Sequence, residues 1–286
     1  MKQRAITALF FVAAMIGGVF GGRESFFVLF CLVAAGALWE FWGLLLDAEA
    51  PQRLFRKTLG LLAGMVPVLW WGYRVLFAGA GDSLQAAHWP SQLDLSAGVV
   101  LAEMFLVSGL LLFELFAAAP KPFQNTGILA LAFFYIVMPV LLLFSLAAPE
   151  GAYLPGRVFG LLGLVWVNDT LAYLIGSRFG KTKLFERISP KKTWEGTLGG
   201  GLCTVLIAWG LALYSNAYST AQWMALGAVI SVFGNLGDLI ESMLKRSVGV
   251  KDSGNLLPGH GGFLDRFDAF LFMLPFAWAV VRLLGA

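Results

Sequence analysis

A chain of 286 residues in which 59% are hydrophobic and only 13% are charged is too apolar for a soluble domain, whose apolar share sits nearer half. It reads as a polytopic membrane protein. The formal net charge of +3, with no basic stripe over a soluble face, excludes nucleic acid as a partner.

A spanning helix needs about 20 mainly apolar residues. On that ruler spans fall near 4–21, 25–46, 58–78, 95–118, 126–148, 157–178, 196–215, 220–241 and 263–284, which makes about nine. The first twenty residues start basic and run apolar like a signal peptide, yet no cleavage site follows and further spans come at once, so they read as a retained helix. Alternating the loops collects Lys2, Arg4, Arg53, Arg56, Lys57, Lys121, the six basic residues from Arg178 to Lys192, Lys245, Arg246, Lys251 and Arg266 on one side. Arg23, Arg74, Arg157 and Arg282 are left on the other. The positive-inside bias then places the N-terminus and both large basic loops in the cytoplasm and the C-terminus outside.

Several residues along the way carry no motif. Cys31 and Cys203 sit in apolar stretches without CxxC or His spacing and read as packing residues. His88 and Trp89 fall in a loop, 79–94, placed at the outer interface. Glu40, Glu103 and Glu114 lie inside apolar spans, where a carboxylate is costly; a structural polar contact and a role at a lipid headgroup both remain open. The GxxxG pair Gly196 and Gly200 suits close helix packing through small residues, and such pairs permit a homodimer without requiring one.

Three polar clusters converge on the basic face. Asn168, Asp169 and Tyr173 lie in the sixth span, and residues 169, 173 and 176 share one helical face, so Asp169 and Tyr173 point into the bundle; the plain alternative is a structural hydrogen bond. Next, Ser189-Pro190-Lys191-Lys192-Thr193-Trp194-Glu195-Gly196 runs into the seventh span. Cations, hydroxyls and free backbone N–H groups at a helix start make an anion site, and a topogenic loop would explain the lysines alone. In the third cluster Asn235, Asp238, Ser242 and Lys245 form one stripe by their three- and four-residue spacings. Lys251, Asp252 and the turn Gly259-His260-Gly261-Gly262 follow, and Asp265 and Asp268 then open the last span. Asp238, Asp265 and Asp268 converge from two adjacent antiparallel helices. Without Cys or paired His, such hard oxygen donors suit Mg²⁺ rather than zinc; salt bridges to Lys245, Arg246, Lys251 and Arg266 are the alternative.

The run S-M-L-K-R-x4-K-D-S-G-x2-L-P-G-H-G-G-F-L-D-R-F-D, residues 242–268, resembles the full signature of the phosphatidate cytidylyltransferase (CDP-diacylglycerol synthase) family, with no departure. D-T-x-A-Y-x-x-G…G-K from Asp169 and S-P-K-K-T-W-E-G from Ser189 are similar to that family as well, so the likeness is specific over 168–268. The first 150 residues resemble it only in being hydrophobic and multi-spanning. The resemblance implies transfer of a cytidylyl group from CTP to phosphatidic acid, giving CDP-diacylglycerol and pyrophosphate for phospholipid synthesis, with Mg²⁺ and room for a second cation. A CTP-dependent lipid kinase, a cytidylyltransferase for another lipid phosphate and a transporter are the alternatives.

It further implies an all-α protein of the bacterial inner membrane with its active site facing the cytoplasm. Residues 1–150 would form about five N-terminal transmembrane helices, and 151–286 a C-terminal catalytic transmembrane region with two cytoplasmic loops. Asp238, Asp265 and Asp268 would be metal ligands and catalytic, with Lys245 and Arg246 clamping phosphate. Asn168, Asp169, Tyr173, Ser189, Lys191, Lys192, Thr193, Glu195, Ser242, Lys251, Asp252, His260, Gly261, Gly262 and Arg266 would surround the substrates.

Overall fold

The structure, a computed structural model, describes residues 2–46, 52–77, 104–105, 108–117, 120–254 and 261–285, with residues 2–6 described in their backbone alone. The expectations for His88, Trp89, Glu103 and His260 lie outside the described residues.

Local chemistry sets the breaks between helices. Helix α1 (Lys2–Phe20) ends at Gly21 and Gly22, the latter at φ 118°, a conformation open in practice to glycine, and α2 (Arg23–Leu45) follows. After α3 (Arg53–Leu76) and a helical stretch over 108–116, here α4, comes α5 (Pro122–Ala147). Pro155 opens α6 (Pro155–Phe179) at its first turn, where the missing N–H is no loss. Thr193 caps α7 (Trp194–Tyr214) by accepting from the Gly196 amide, and a capping box of Ser219 and Gln222 starts α8 (Thr220–Ser247). Helix α9 spans Leu264–Leu283.

Two helices slip by one residue. In α5 a π-turn covers Phe133–Val137 just ahead of Pro139, whose missing N–H leaves the Tyr135 carbonyl without its usual donor. In α8 the π-turn Ile230–Gly234 immediately precedes Asn235 and Asp238. The all-α expectation gives way at one place. Strands β1 (Lys183–Phe185) and β2 (Ser189–Thr193) form a small antiparallel hairpin, with Lys183 opposite Thr193 and Phe185 opposite Ser189. Pro190 favours an extended approach and, lacking an N–H, suits a sheet that is all edge.

Among the described residues six helices, α2, α3, α5, α6, α7 and α8, are long and apolar enough to cross a membrane, against about nine expected, and the chain is a predominantly helical integral membrane protein. The outer faces are apolar, as a lipid solvent requires: α7 presents Leu198, Leu202 and Leu206 outward while Gly196, Gly200, Gly201 and Thr204 face in. Those glycines let α6 approach closely. A Cβ on Gly200 would sit 2.7 Å from the Ala172 amide nitrogen, and one on Gly196 2.6 Å from the Ala172 carbonyl, so this GxxxG is used within the chain. Helix α9 lies in the middle of the bundle, touching α2, α5 and α8 and burying Phe267, Phe270, Leu271, Met273 and Leu274.

Glu114 is resolved in favour of structure. Its buried carboxylate accepts from Arg56 Nε at 2.5 Å and Nη2 at 3.2 Å, and from Asn125 Nδ2 at 2.9 Å, joining α3, α4 and α5. Truncating one partner strands the other's charge in low dielectric, so Glu114→Ala is expected to cost about 3–5 kcal/mol. A lowered unfolding temperature in detergent would show it, and an unchanged one would remove this pair from the fold's supports.

Candidate active site

The site begins with α8. Its apolar first half lies in the bundle, and after the π-turn the stripe Asp238, Glu241, Ser242 and Lys245 faces the start of α9. Ser242 Oγ donates to Asp238 Oδ1 at 3.3 Å. Lys245, itself buried, pairs with Glu241 one turn back and with Asp265 Oδ1 at 2.6 Å, so a single ammonium stitches α8 to α9. Glu241 is fully buried. Asp268, one turn beyond Asp265, is buried too, with Oδ1 accepting from its neighbour's amide, Ala269 N, at 2.7 Å.

Acid therefore accumulates. Asp238, Glu241 and Asp169 all lie within Coulombic reach of Asp268, in surroundings that screen little. Among the described residues the buried hydroxyl of Tyr135, from the π-turn of α5, has no hydrogen-bond partner, and it lies within Coulombic reach of Asp268, Glu241 and Asp238. Asp169 is exposed, yet Lys192 and Asp238 bear on it, as expected for a side chain lining an open recess.

The hairpin supplies one wall. Lys192 reaches from β2 to Asp238 Oδ2 at 2.6 Å and to the Asn235 carbonyl at 3.3 Å, tying the second predicted cluster to the third. Glu195, in the first turn of α7, accepts from the amides of Lys181 and Thr182 at 3.1 Å each, and Lys183 Nζ donates to the Pro190 carbonyl at 2.7 Å. Glycines make room: a Cβ on Gly176 would lie 3.0 Å from Thr193 Oγ1.

Not every predicted residue joins this centre. Asp169, Lys192, Asp238, Ser242, Lys245, Asp265 and Asp268 do. Asn168 instead lies buried between α6 and α7, accepting from Thr204 Oγ1 at 3.3 Å, and Thr193 is occupied as a cap. Glu195 holds backbone rather than facing the recess. Tyr173 is 72% exposed and Asp169, one turn before it, is exposed as well, so the two share a face as expected but neither is packed inside the bundle. Lys191, Arg246, Lys251, Asp252 and Arg266 are exposed around the loop, Arg246 donating to the Val250 carbonyl at 2.7 Å, and Ser189 is half-buried on β2. Gly261 stands at φ +81°, where a side chain would be strained.

Asp265, expected as a metal ligand, is engaged by the chain's own donors in this structure. Besides Lys245, its carboxylate accepts from the amides of Ser253 at 2.9 Å and Gly262 at 2.8 Å, so both oxygens are taken. Among the described residues no three His, Cys, Asp or Glu side chains form a ready cation cage. Mg²⁺ does not require one, because it commonly takes one or two carboxylates and completes its shell with water and substrate phosphates. Asp238 and Asp268, hard donors within Coulombic reach of each other, fit that chemistry.

Sequence reasoning missed Ser253 and Tyr135, and left Glu40 open between a structural polar contact and a headgroup role. Glu40 Oε2, from α2, accepts from Leu264 N at 2.9 Å and Ser253 Oγ at 3.1 Å. An intramembrane carboxylate was the signal available for it, and nothing in the pattern said what it touches.

Carboxylates and lysines gather at one end of the bundle, beside Gly261 and Gly262, in a charged centre within a membrane protein. The chain belongs to the cytidylyltransferase family, whose model matches residues 2–284. It is 32% identical to the phosphatidate cytidylyltransferase of Bacillus subtilis (strain 168) over 99% of this chain and 98% of that one. With the same enzyme of Staphylococcus saprophyticus it shares 31% identity over 96% of each chain. Identity rises to 52% over 114 residues with the Staphylococcus aureus (strain COL) enzyme, a match spanning 39% of this chain and 44% of the relative's length.

Glu195→Ala should free the amides of Lys181 and Thr182 and loosen the hairpin that carries Lys192, since two charge-assisted hydrogen bonds are lost. Hydrogen exchange over 181–193 should quicken while α9 stays protected. Unchanged exchange there would mean that the hairpin is held by other contacts.

Proposed function

We propose that this chain transfers the cytidylyl group of CTP to phosphatidate, releasing pyrophosphate and leaving CDP-diacylglycerol in the membrane. The observation that carries this reading is the centre on α8 and α9, where Asp238, Lys245 and Asp268 meet at the edge of an apolar bundle. A water-soluble polyanion and a lipid phosphate can both reach such a place. The rest of the topology follows the same reading: about nine spans, the N-terminus and active site in the cytoplasm, residues 1–150 as N-terminal scaffold and 151–286 as the catalytic region, in a bacterial inner membrane.

The chemistry asks mainly for positioning and charge neutralisation. Phosphatidate is already an anionic oxygen nucleophile near neutral pH, so no strong base is needed. Its phosphate oxygen attacks the α-phosphorus of CTP in line; that P–O bond forms as the bond to the bridging oxygen of the β-phosphate breaks, and the electron pair leaves on pyrophosphate. Lys192 and Lys245, each now paired with carboxylates, exchange those partners for substrate phosphates. Lys191, Arg246 and Lys251 at the rim draw the polyanions in, and the Ser242 hydroxyl holds Asp238 in orientation. Mg²⁺ would be held by Asp238 and Asp268, with Asp265 able to join once Lys245 turns to phosphate, and when bound it supplies neutralisation of developing charge on phosphate oxygens.

The test is to incubate detergent-purified protein with phosphatidate, Mg²⁺ and CTP labelled at the α-phosphate. Label entering the organic phase as a CDP-lipid is the expected outcome; label remaining in water as CDP while a lipid gains phosphate would hand the site to a kinase. Transfer should stop on removing divalent cations with EDTA and return with added Mg²⁺. Asp238→Asn and Asp268→Asn should each lower turnover by about 1,000-fold, the scale of losing a preorganised electrostatic group. Turnover within a few-fold of the parent would withdraw those two residues from the cation site.

A further inference from the structure

We infer that Glu40, on α2, is a positioning residue that fixes the start of α9 and with it Asp265 and Asp268. The N-terminus of α9 has an unusual problem. Its cap residue, Phe263, offers no side-chain acceptor for the free amides of the first turn, and unpartnered amides at a buried helix end are costly. Glu40 solves it from another helix, accepting from Leu264 N at 2.9 Å with Oε2. A negative carboxylate there also sits favourably against the positive end of the α9 dipole.

The same oxygen accepts from Ser253 Oγ at 3.1 Å, and Ser253 Oγ in turn accepts from the Asp265 amide at 3.3 Å. Glu40 thereby fastens both flanks of the loop, Ser253 on one side and Leu264 on the other. Asp265 closes the circle by accepting from the amides of Ser253 and Gly262. Glycine is required where Glu40 comes close: a Cβ on Gly254 would stand 2.5 Å from Glu40 Oε1, and one on Gly262 would collide with Glu40 Oε2 and Ser253 Oγ. One turn earlier on α2, Gly36 leaves space for the Phe263 ring, 2.8 Å from where its Cβ would be. Gly36 and Glu40 thus form a seat for residues 263 and 264, and Lys57, 3.7 Å over the Trp39 ring, lies within Coulombic reach of the buried acid. Two of the glycines in the signature are explained by a partner outside it.

Glu40 reaches neither Lys192 nor Asp238, so its effect on chemistry passes through Asp265 and Asp268. The kinetic part of the test rests on the cytidylyl-transfer reading above, and the structural part does not. In the purified full chain, Glu40→Ala should speed hydrogen exchange at residues 253 and 262–265 by at least about tenfold while α6 and α7 stay protected. It should lower kcat about 100-fold, as misplacing reacting groups by an ångström does, with a smaller change in the KM for CTP. Glu40→Gln keeps an acceptor oxygen toward Leu264 and Ser253, and should retain the exchange pattern and a kcat within about fivefold of the parent, hydrogen bonds from neutral groups being the larger part of the contact.

Ser253→Ala, which removes only one arm, should fall between the two and covers the case in which Glu40→Ala fails to fold. Unchanged exchange at 253 and 262–265 in Glu40→Ala, or Glu40→Gln as damaging as Ala, would overturn the role. A parent protein inactive on CTP and phosphatidate would defeat the functional reading, and exchange would still decide for or against Glu40.

Discussion

Crowded carboxylates at the meeting of α6, α8 and α9 are the constraint on which the rest of this structure depends. Asp169, Asp238 and Glu241 each bear on the buried Asp268 at the edge of an apolar bundle, where repulsion is screened less than in open water. Lys192 and Lys245 answer part of that charge. Burying ions without full compensation is expensive, so the scaffold must hold these groups together against their preference to separate.

Several otherwise unrelated features serve that end. The π-turn of α8 ends just before Asp238 and resets the face on which the acidic stripe lies. Glycines on α7 bring α6 close enough for Asp169 to join, and the hairpin, gripped by Glu195, delivers Lys192 to Asp238. At the far side Glu40 and Ser253 satisfy opening amides of α9, those of Leu264 and Asp265. A centre held in tension in this way is suited to polyanionic substrates, because phosphates offer its lysines better partners and a hard cation relieves its acids.

Much of this was legible in the chain. Six of the expected spans and the stripe Asp238, Ser242, Lys245 follow from local periodicity, and helices obey local rules well; the signature over 242–268 carried the acids of α9 with it. What escaped was what depends on distant contact. Glu40 lies 213 residues from Ser253, and no spacing rule connects them. Glu195 stood in an anion-binding pattern, but whether a carboxylate faces the recess or its own backbone is decided by the hairpin, which helical periodicity did not suggest. Asp265 looked equivalent to Asp268 by spacing, and only the folded loop shows its oxygens taken by Lys245 and two amides. Tyr173 and Asp169 share a helical face as their spacing says, but whether that face is packed or open depends on the neighbouring helices, and both residues are exposed.

The central claim is that the acids of α8 and α9 exist to hold a hard cation together with nucleotide phosphate. Its most direct measurement is a Mn²⁺ titration of the detergent-purified protein followed by electron paramagnetic resonance, with and without CTP. Mn²⁺ should bind, be displaced by Mg²⁺, bind more tightly when CTP is present, and be lost in Asp268→Asn while the helical content is unchanged. Mn²⁺ binding that ignores both CTP and Asp268→Asn would contradict the account and leave the cluster as a salt-bridge network alone.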